Sequence, residues 1–389
     1  MLRCSQPLVG VSGRHDVADE KLVDLYRQLG SDKKTLNPNA QLTIVDCRAL
    51  IAARANHARG GGVESINRYK KCDIRFLDID NIHTMRASLS KVAAICSPLD
   101  SAQNTAATDP DGEDWFSRLS ASKWMKHIHR VVAGSIEVAR LMRVERKSVL
   151  VHCSDGWDRT SQICAIAQLL LDPYYRTIEG FAVLVQKDWC AFGHKFHDRL
   201  GHGHVPELSE GSEASPYFAT KESSPVFLQF LEAVAQIQRQ IPDAFEFNSE
   251  LLIFLADASY SCEFGNFLCN NERERDMLQL YRNSTSVWDY VLDKNVQKSR
   301  FTNHSYELER GAIWPSSATR HLVFWDDYYM RFDPCRLRSR GAKKTTYGMI
   351  TPCSTPAIMV KTPSDEEEEK EEEAKEGSSA VPKRDPPGL

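Results

Sequence analysis

The run Val149-Leu150-Val151-His152-Cys153-Ser154-Asp155-Gly156-Trp157-Asp158-Arg159-Thr160 constrains this chain more than any other stretch. A short β-branched strand ends in His-Cys. Five residues with a central glycine follow, then Arg and Thr open an apolar helix. Strand, tight loop and helix in that order make an anion cradle. Five residues suffice for backbone N–H groups to converge on one phosphate, and the helix N-terminus adds partial positive charge. The same field favours a thiolate, so Cys153 is expected to ionise well below the free thiol value of about 8.5. Arg159 is a planar fork able to grip two phosphate oxygens. Gly156 lets the backbone turn with no Cβ in the way.

This is the layout of a cysteine phosphatase loop, but Cys-x5-Arg alone is a weak signal. The spacing recurs from Cys269 to Arg275, without the glycine or the strand and with two glutamates inside. That copy reads as coincidence on a polar helix start. The competing reading of Cys153, a buried structural cysteine, is outweighed by its surroundings.

Composition bounds the rest. The 389 residues are 42% hydrophobic, ample for a sizeable core. The formal charge of −4 is dominated by the tail, because Asp365 to Leu389 carries ten acids and four bases. A near-neutral body does not indicate a nucleic-acid binder, though it permits a local basic patch facing an anionic membrane. Eleven scattered cysteines with no Cys-x-x-Cys fit a reducing cytosol, not a disulfide scaffold or a zinc site. No metal and no cofactor is expected. Gly201-His202-Gly203-His204 reads as surface or substrate-adjacent.

The expected fold class is α/β: a central mixed sheet flanked by helices, a mostly helical C-terminal half and a disordered tail. Leu42 to Cys47 and Cys72 to Ile79 read as strands. Helices are expected from Asn81 to about Ile95, Asp114 to about Arg143, Thr160 to Leu171, Val226 to Arg239, Ser249 to Tyr260 and Glu272 to Arg282. Residues 203–223 read as a surface loop. One phosphatase domain is expected over 1–343, with an acidic disordered tail over 344–389.

The string Cys-Ser-Asp-Gly-Trp-Asp-Arg-Thr closely resembles the signature of the myotubularin family of phosphoinositide 3-phosphatases. Arg3 to Gly10, Asn56 to Glu64 with its triple glycine, and Asn81 to Arg86 carry the resemblance too. So do Tyr174 to Ile178, Phe192 to Phe196, Ser224 to Phe227, Phe264 to Leu268, Arg320 to Leu322 and Trp325 to Tyr329. It covers about residues 1–335, in order. Family members usually carry an upstream PH-GRAM domain, and the chain reads as lacking it and as N-terminally incomplete.

The resemblance implies removal of the 3-phosphate from phosphatidylinositol 3-phosphate and the 3,5-bisphosphate through a phosphocysteine on Cys153. It assigns the leaving-group proton to Asp158, with Asp155 the runner-up acid and a ligand for inositol hydroxyls. A loop with two aspartates and no lysine is a poor host for heavily phosphorylated rings. Ser154, Asp155, Gly156, Trp157, Asp158 and Arg159 are candidate substrate contacts, joined through the family pattern by Asn56, Asn81 and Ile82. Asn81 also reads as a helix N-cap, and Asp158 as a salt-bridged structural carboxylate. Lys195 and Arg199, four apart, are candidates for the diester phosphate or a 5-phosphate. The family further implies peripheral association with phosphoinositide membranes, endosomal or plasma, from the cytoplasmic side, and homo- or hetero-dimers with other members. A dual-specificity protein phosphatase and a non-catalytic adaptor are the alternatives.

Overall fold

The computed structural model describes residues 1–29, 37–96, 115–203, 220–308 and 311–332. Most of the expected loop at 203–223, the domain boundary at 343 and the tail over 344–389 lie outside the described residues.

The apolar run Leu42–Asp46 (β2) is buried at every position, as a strand covered on both faces must be. It lies between Cys72–Phe76 (β3) and Ser148–His152 (β4). Leu2–Cys4 (β1) flanks β4 on its far side, giving the order β1-β4-β2-β3. Asp46 is level with Phe76 on one side and with His152 on the other, and Cys4 is level with His152. Among the described residues every pairing in this sheet is parallel. The expectation of a mixed sheet is corrected here. Helical crossovers separate consecutive strands, which returns each strand in the same direction: Val17–Leu29 (α1) and Leu50–Ala55 (α2) around β2, then Ile82–Cys96 (α3), Trp115–Ser122 (α4) and Trp124–Arg143 (α5) before β4.

The strand alternation sorts the core. Val45, Val149 and Val151 face a large cluster with α5 and Arg159–Leu171 (α6), while Leu42, Ile44 and Leu150 face Val23 of α1. Helix α6 is buried almost all round, the signature of a central helix. The C-terminal half is helical as expected: Ile178–Val185 (α7), Phe196–Leu200 (α8), Val226–Gln240 (α9), Ser249–Ser261 (α10), Glu272–Met277 (α11) and Leu280–Asn283 (α12).

Two long helical expectations are broken in two. Lys123, at φ +61°, separates α4 from α5. The Ser122 carbonyl accepts the Ser88 hydroxyl at 2.7 Å, and the turn seats Trp124 out of solvent. Gln279, at φ +50°, separates α11 from α12. His202 is not on the surface: it is buried, and its Nε2 donates to the Ser259 carbonyl at 2.8 Å.

Trp124 donates its indole N–H to Glu232 on α9 at 2.8 Å, and the Tyr329 hydroxyl donates to the same Glu232 oxygen at 2.8 Å. The other Glu232 oxygen has no partner. Burial drives the Glu232 carboxyl up to about 7, with the two donors opposing the rise. A raised acid is harmless below its unfolded value near 4.5 and destabilises the fold as pH climbs through 7. Glu232→Gln should therefore melt higher than wild type above neutrality, by up to about 3 kcal/mol, and differ little at pH about 5. Melting curves across that range check the sign.

Candidate active site

The carboxyl ends of the four parallel strands meet at one edge, where open α/β sheets place their ligands. The segments after β1, β2 and β3 gather there around the loop that follows β4. The loop is pinned at several points. The Gln6 N–H donates to the Ser154 carbonyl at 3.0 Å. Arg3 donates to the Gly156 carbonyl at 2.6 Å and to Ser161 at 2.8 Å, and its other nitrogen bonds Asp188 at 3.0 Å. His194 Nδ1 donates to the Trp157 carbonyl at 2.9 Å. Gly156 adopts φ +88°, the backbone the motif required.

Cys153 lies on the floor of this cup, 2% exposed, beneath a half-buried or exposed rim of Ser154, Asp155, Gly156, Trp157 and Arg159. The Gly156 N–H points at its sulfur, 3.3 Å away. Burial opposes ionisation, but the Arg159 charge and the hydroxyl and N–H of Thr160 outweigh it and hold the thiol below its ordinary value. Thr160, at the start of α6, is fully buried. Arg159 arches over the loop, donating to the Ile79 carbonyl and to Ser154 Oγ, each at 3.2 Å.

His152 supports the floor. Its Nδ1 donates to the Cys153 carbonyl at 3.0 Å, and its Nε2 lies 3.2 Å from Glu64. Burial lowers its pKa, yet Glu64 overrides this and lifts it to about 9. An imidazolium therefore sits behind the loop, orienting it, and is no general base. Glu64 arrives from the triple-glycine segment. Gly62 of that segment accepts from Arg48, which is bidentate on Asp46 and also bonds Gln6.

The two loop aspartates differ. Asp158 is buried in a network: Arg199 Nε and Nη2 reach its two oxygens at 3.1 and 2.9 Å, and His194 lies 3.2 Å away. Burial would raise its pKa, but His194 and Arg199 reverse that and keep it well below the usual carboxylate range. Asp155 is exposed on the rim, and among the described residues no side-chain partner holds it. Partial burial and then the Asp158 charge raise its pKa.

Other sequence candidates separate in the same way. Asn56 reaches the loop, with Nδ2 3.3 Å from Ser154 Oγ. Asn81 caps α3, its Oδ1 accepting the Thr84 N–H at 3.0 Å. The Ile82 carbonyl accepts from Ser224 Oγ at 2.9 Å. Lys195 stands over the Trp157 ring, its Nζ 5.1 Å from the centroid, and stays partly exposed. Arg199 does not share that position. It is buried, and the nitrogen not spent on Asp158 bonds the carbonyl and carboxylate of Glu222, each at 3.1 Å. The Arg199 guanidinium, a sequence candidate for the diester phosphate or a 5-phosphate, thus bonds Asp158 and Glu222 in this structure. Sequence reasoning gave no role to Arg3, Glu64, Asp188 or His194. Three of them lie inside segments that carried the resemblance, which was the available signal.

A buried strand, a pinned loop with the Gly156 N–H on the cysteine sulfur, a thiol held below its ordinary value and an overhanging guanidinium define the cysteine-dependent phosphatases as a class. Within that class the chain belongs to the myotubularin family: the model of the myotubularin-like phosphatase domain matches residues 1–276. The chain is 42% identical over 342 residues to myotubularin of Xenopus tropicalis, covering 87% of this chain and 52% of that protein. It is 43% identical over 336 residues to the phosphatidylinositol-3,5-bisphosphate 3-phosphatase MTMR2 of Bos taurus, covering 85% and 47%. Myotubularin of Rattus norvegicus is 42% identical over 341 residues, covering 87% and 52%. The chain thus spans about half the length of the curated relatives it matches.

Proposed function

We propose that this chain is a phosphoinositide 3-phosphatase acting on phosphatidylinositol 3-phosphate and phosphatidylinositol 3,5-bisphosphate through a phosphocysteine. The observation that carries the reading is the Cys153 sulfur, with the Gly156 N–H upon it and its pKa lowered by Arg159 and Thr160. The name of the MTMR2 relatives supports the lipid substrate. Cys153 attacks phosphorus in line and the inositol oxygen leaves. Water then attacks the phosphocysteine and the thiolate departs. Arg159 and the loop amides follow the charge on the phosphoryl oxygens. Among the described residues no helix is long and apolar enough to cross a membrane. Lys195, partly exposed beside the loop and 3.6 Å from Asp198, is the cation that would meet an anionic membrane surface.

Neighbouring carboxyls whose pKa values are pushed apart divide acid from base work. Asp158, held ionised by Arg199 and His194, is the base that activates water in the second step. Asp158 and Asp155 are the two candidates for protonating the inositol oxygen in the first, and Asp155 is the one open to the rim. With Asp155 as the acid, Asp155→Asn should slow lipid hydrolysis by about 10²–10⁴-fold yet spare an aryl phosphate that needs no proton. Asp158→Asn should accumulate phosphoenzyme. If Asp158→Asn alone shows the leaving-group dependence, one residue performs both tasks.

Phosphate release from the two short-chain lipids and from a phosphotyrosine peptide tests the reading. Lipid turnover well above peptide turnover is expected. The reverse result would make this a dual-specificity protein phosphatase, and no turnover by the folded chain would make it an adaptor.

A further inference from the structure

Two buried cysteines, Cys47 and Cys153, directly follow the adjacent strands β2 and β4. In the β2–β4 register Asp46 is level with His152, and the Cys47 N–H donates to the His152 carbonyl at 2.8 Å. Cys47 and Cys153 are the next residues on the two chains, and the register carried one step past the strand ends sets them side by side. Alternation puts Val45 and Cys47 on the same face as Val149, Val151 and Cys153, and all five share one core. Neighbouring strands lie about 4.8 Å apart, inside the span of roughly 4.4–6.8 Å that disulfide-linked Cα atoms occupy. Cys4 is level with His152 instead, which turns it to the opposite face.

We propose that Cys47 is a modification site: it captures an oxidised Cys153 as a disulfide, reversibly silencing the phosphatase and protecting its nucleophile. The silencing rests on the proposed function; the cross-link does not.

The chemistry closes with a hydroperoxide as oxidant. The Cys153 thiolate attacks a peroxide oxygen, the O–O bond breaks, and the departing hydroxide takes a proton, leaving Cys153 sulfenic acid and water. The Cys47 sulfur then displaces the sulfenic hydroxyl. An S–S bond forms, the S–O bond breaks, and the Cys47 proton leaves with the hydroxyl as a second water. Two thiols lose two electrons and one peroxide gains them. An external dithiol reverses the step.

The division of labour between the sulfurs fits. Cys153 is the thiol held below its ordinary value, and so the one of the pair suited to attack peroxide. Cys47 is fully buried and kept neutral, first by burial and next by the Cys153 charge. Sulfenic acid formation removes that charge and eases Cys47 toward attack. Cys164 is the other buried thiol within reach of the Cys153 charge, but Arg3 and Asp188 act on it more strongly.

The test treats the whole chain with hydrogen peroxide, blocks free thiols, and maps peptides without reduction. A Cys47–Cys153 linked peptide is expected, with activity on an aryl phosphate lost and then restored by dithiothreitol. Cys47→Ala should lose activity to peroxide as wild type does, but recover at least about threefold less, because Cys153 proceeds to the sulfinic acid. A Cys153 link to Cys4 or Cys164, no link at all, or full recovery by Cys47→Ala overturns the proposal. Should Cys47→Ala fail to fold, the wild-type peptide map still decides. A linked peptide in a chain that hydrolyses nothing before treatment would defeat the phosphatase reading while leaving the cross-link standing.

Discussion

Cys153→Ser should end phosphate release from both lipids, by about 10⁴-fold or more, while the fold and its melting temperature stay close to wild type. The environment of this residue is built for an anion. The Gly156 N–H, the Thr160 hydroxyl and N–H, and the Arg159 charge all act on one atom. That field favours ionisation of the thiol; a serine hydroxyl stays protonated and is a far weaker nucleophile. The side chain is small and nearly sealed, so exchanging sulfur for oxygen creates only a slight packing defect. The cup of amides remains, and the variant should still bind lipid. In wild type the rate should climb with pH through an ionisation below the ordinary thiol value of 9.0, because Arg159 and Thr160 overcome the burial of Cys153. A folded Cys153→Ser protein that keeps more than about a hundredth of the wild-type rate would remove the sulfur from the mechanism.

The loop was legible from sequence because its chemistry is local. Strand, cup, arginine and helix are consecutive, and each residue type constrains the next. The buried strand at Leu42 and the helices with strong apolar periodicity were legible for the same reason. The parallel pairing was not, since it depends on which crossovers lie between the strands. Nor were β1 and α1 foreseen: three residues, Leu2–Cys4, are too few for a period, and α1 exposes Leu22 and Leu25. The fate of Arg199 was hidden in another way. Its spacing from Lys195 places both on one helical face only where the helix continues, but Lys195 sits at the N-cap of a five-residue helix. Arg199 turns inward to Asp158, forty-one positions away in the chain. Long-range ion pairing of this kind leaves no local trace in a single sequence.

Gly156→Ala is the second large effect, and it separates two costs of a glycine. Gly156 has φ +88°, and a Cβ there would stand 2.6 Å from the Cys4 carbonyl oxygen and 3.0 Å from its carbon. Both atoms are backbone of a sheet strand, so they do not swing aside. The loop is no freer, because Arg3 holds the Gly156 carbonyl and Gln6 holds that of Ser154. Left-handed backbone costs about 1–2 kcal/mol for an L-residue, and forcing a methyl into a full space adds about 1–3 kcal/mol. The melting temperature should fall by several degrees. Activity should fall further, because the displaced N–H is the one aimed at the Cys153 sulfur, and a shift near 1 Å in a catalytic group costs about 10²-fold. Gly13→Ala is the matched comparison. Gly13 has φ +63° with nothing within 4 Å of its Cβ position, so it carries the backbone strain without the collision. If Gly156→Ala lowers stability no more than Gly13→Ala and leaves the rate unchanged, the close approach of Cys4 to the loop does not shape the nucleophile's surroundings.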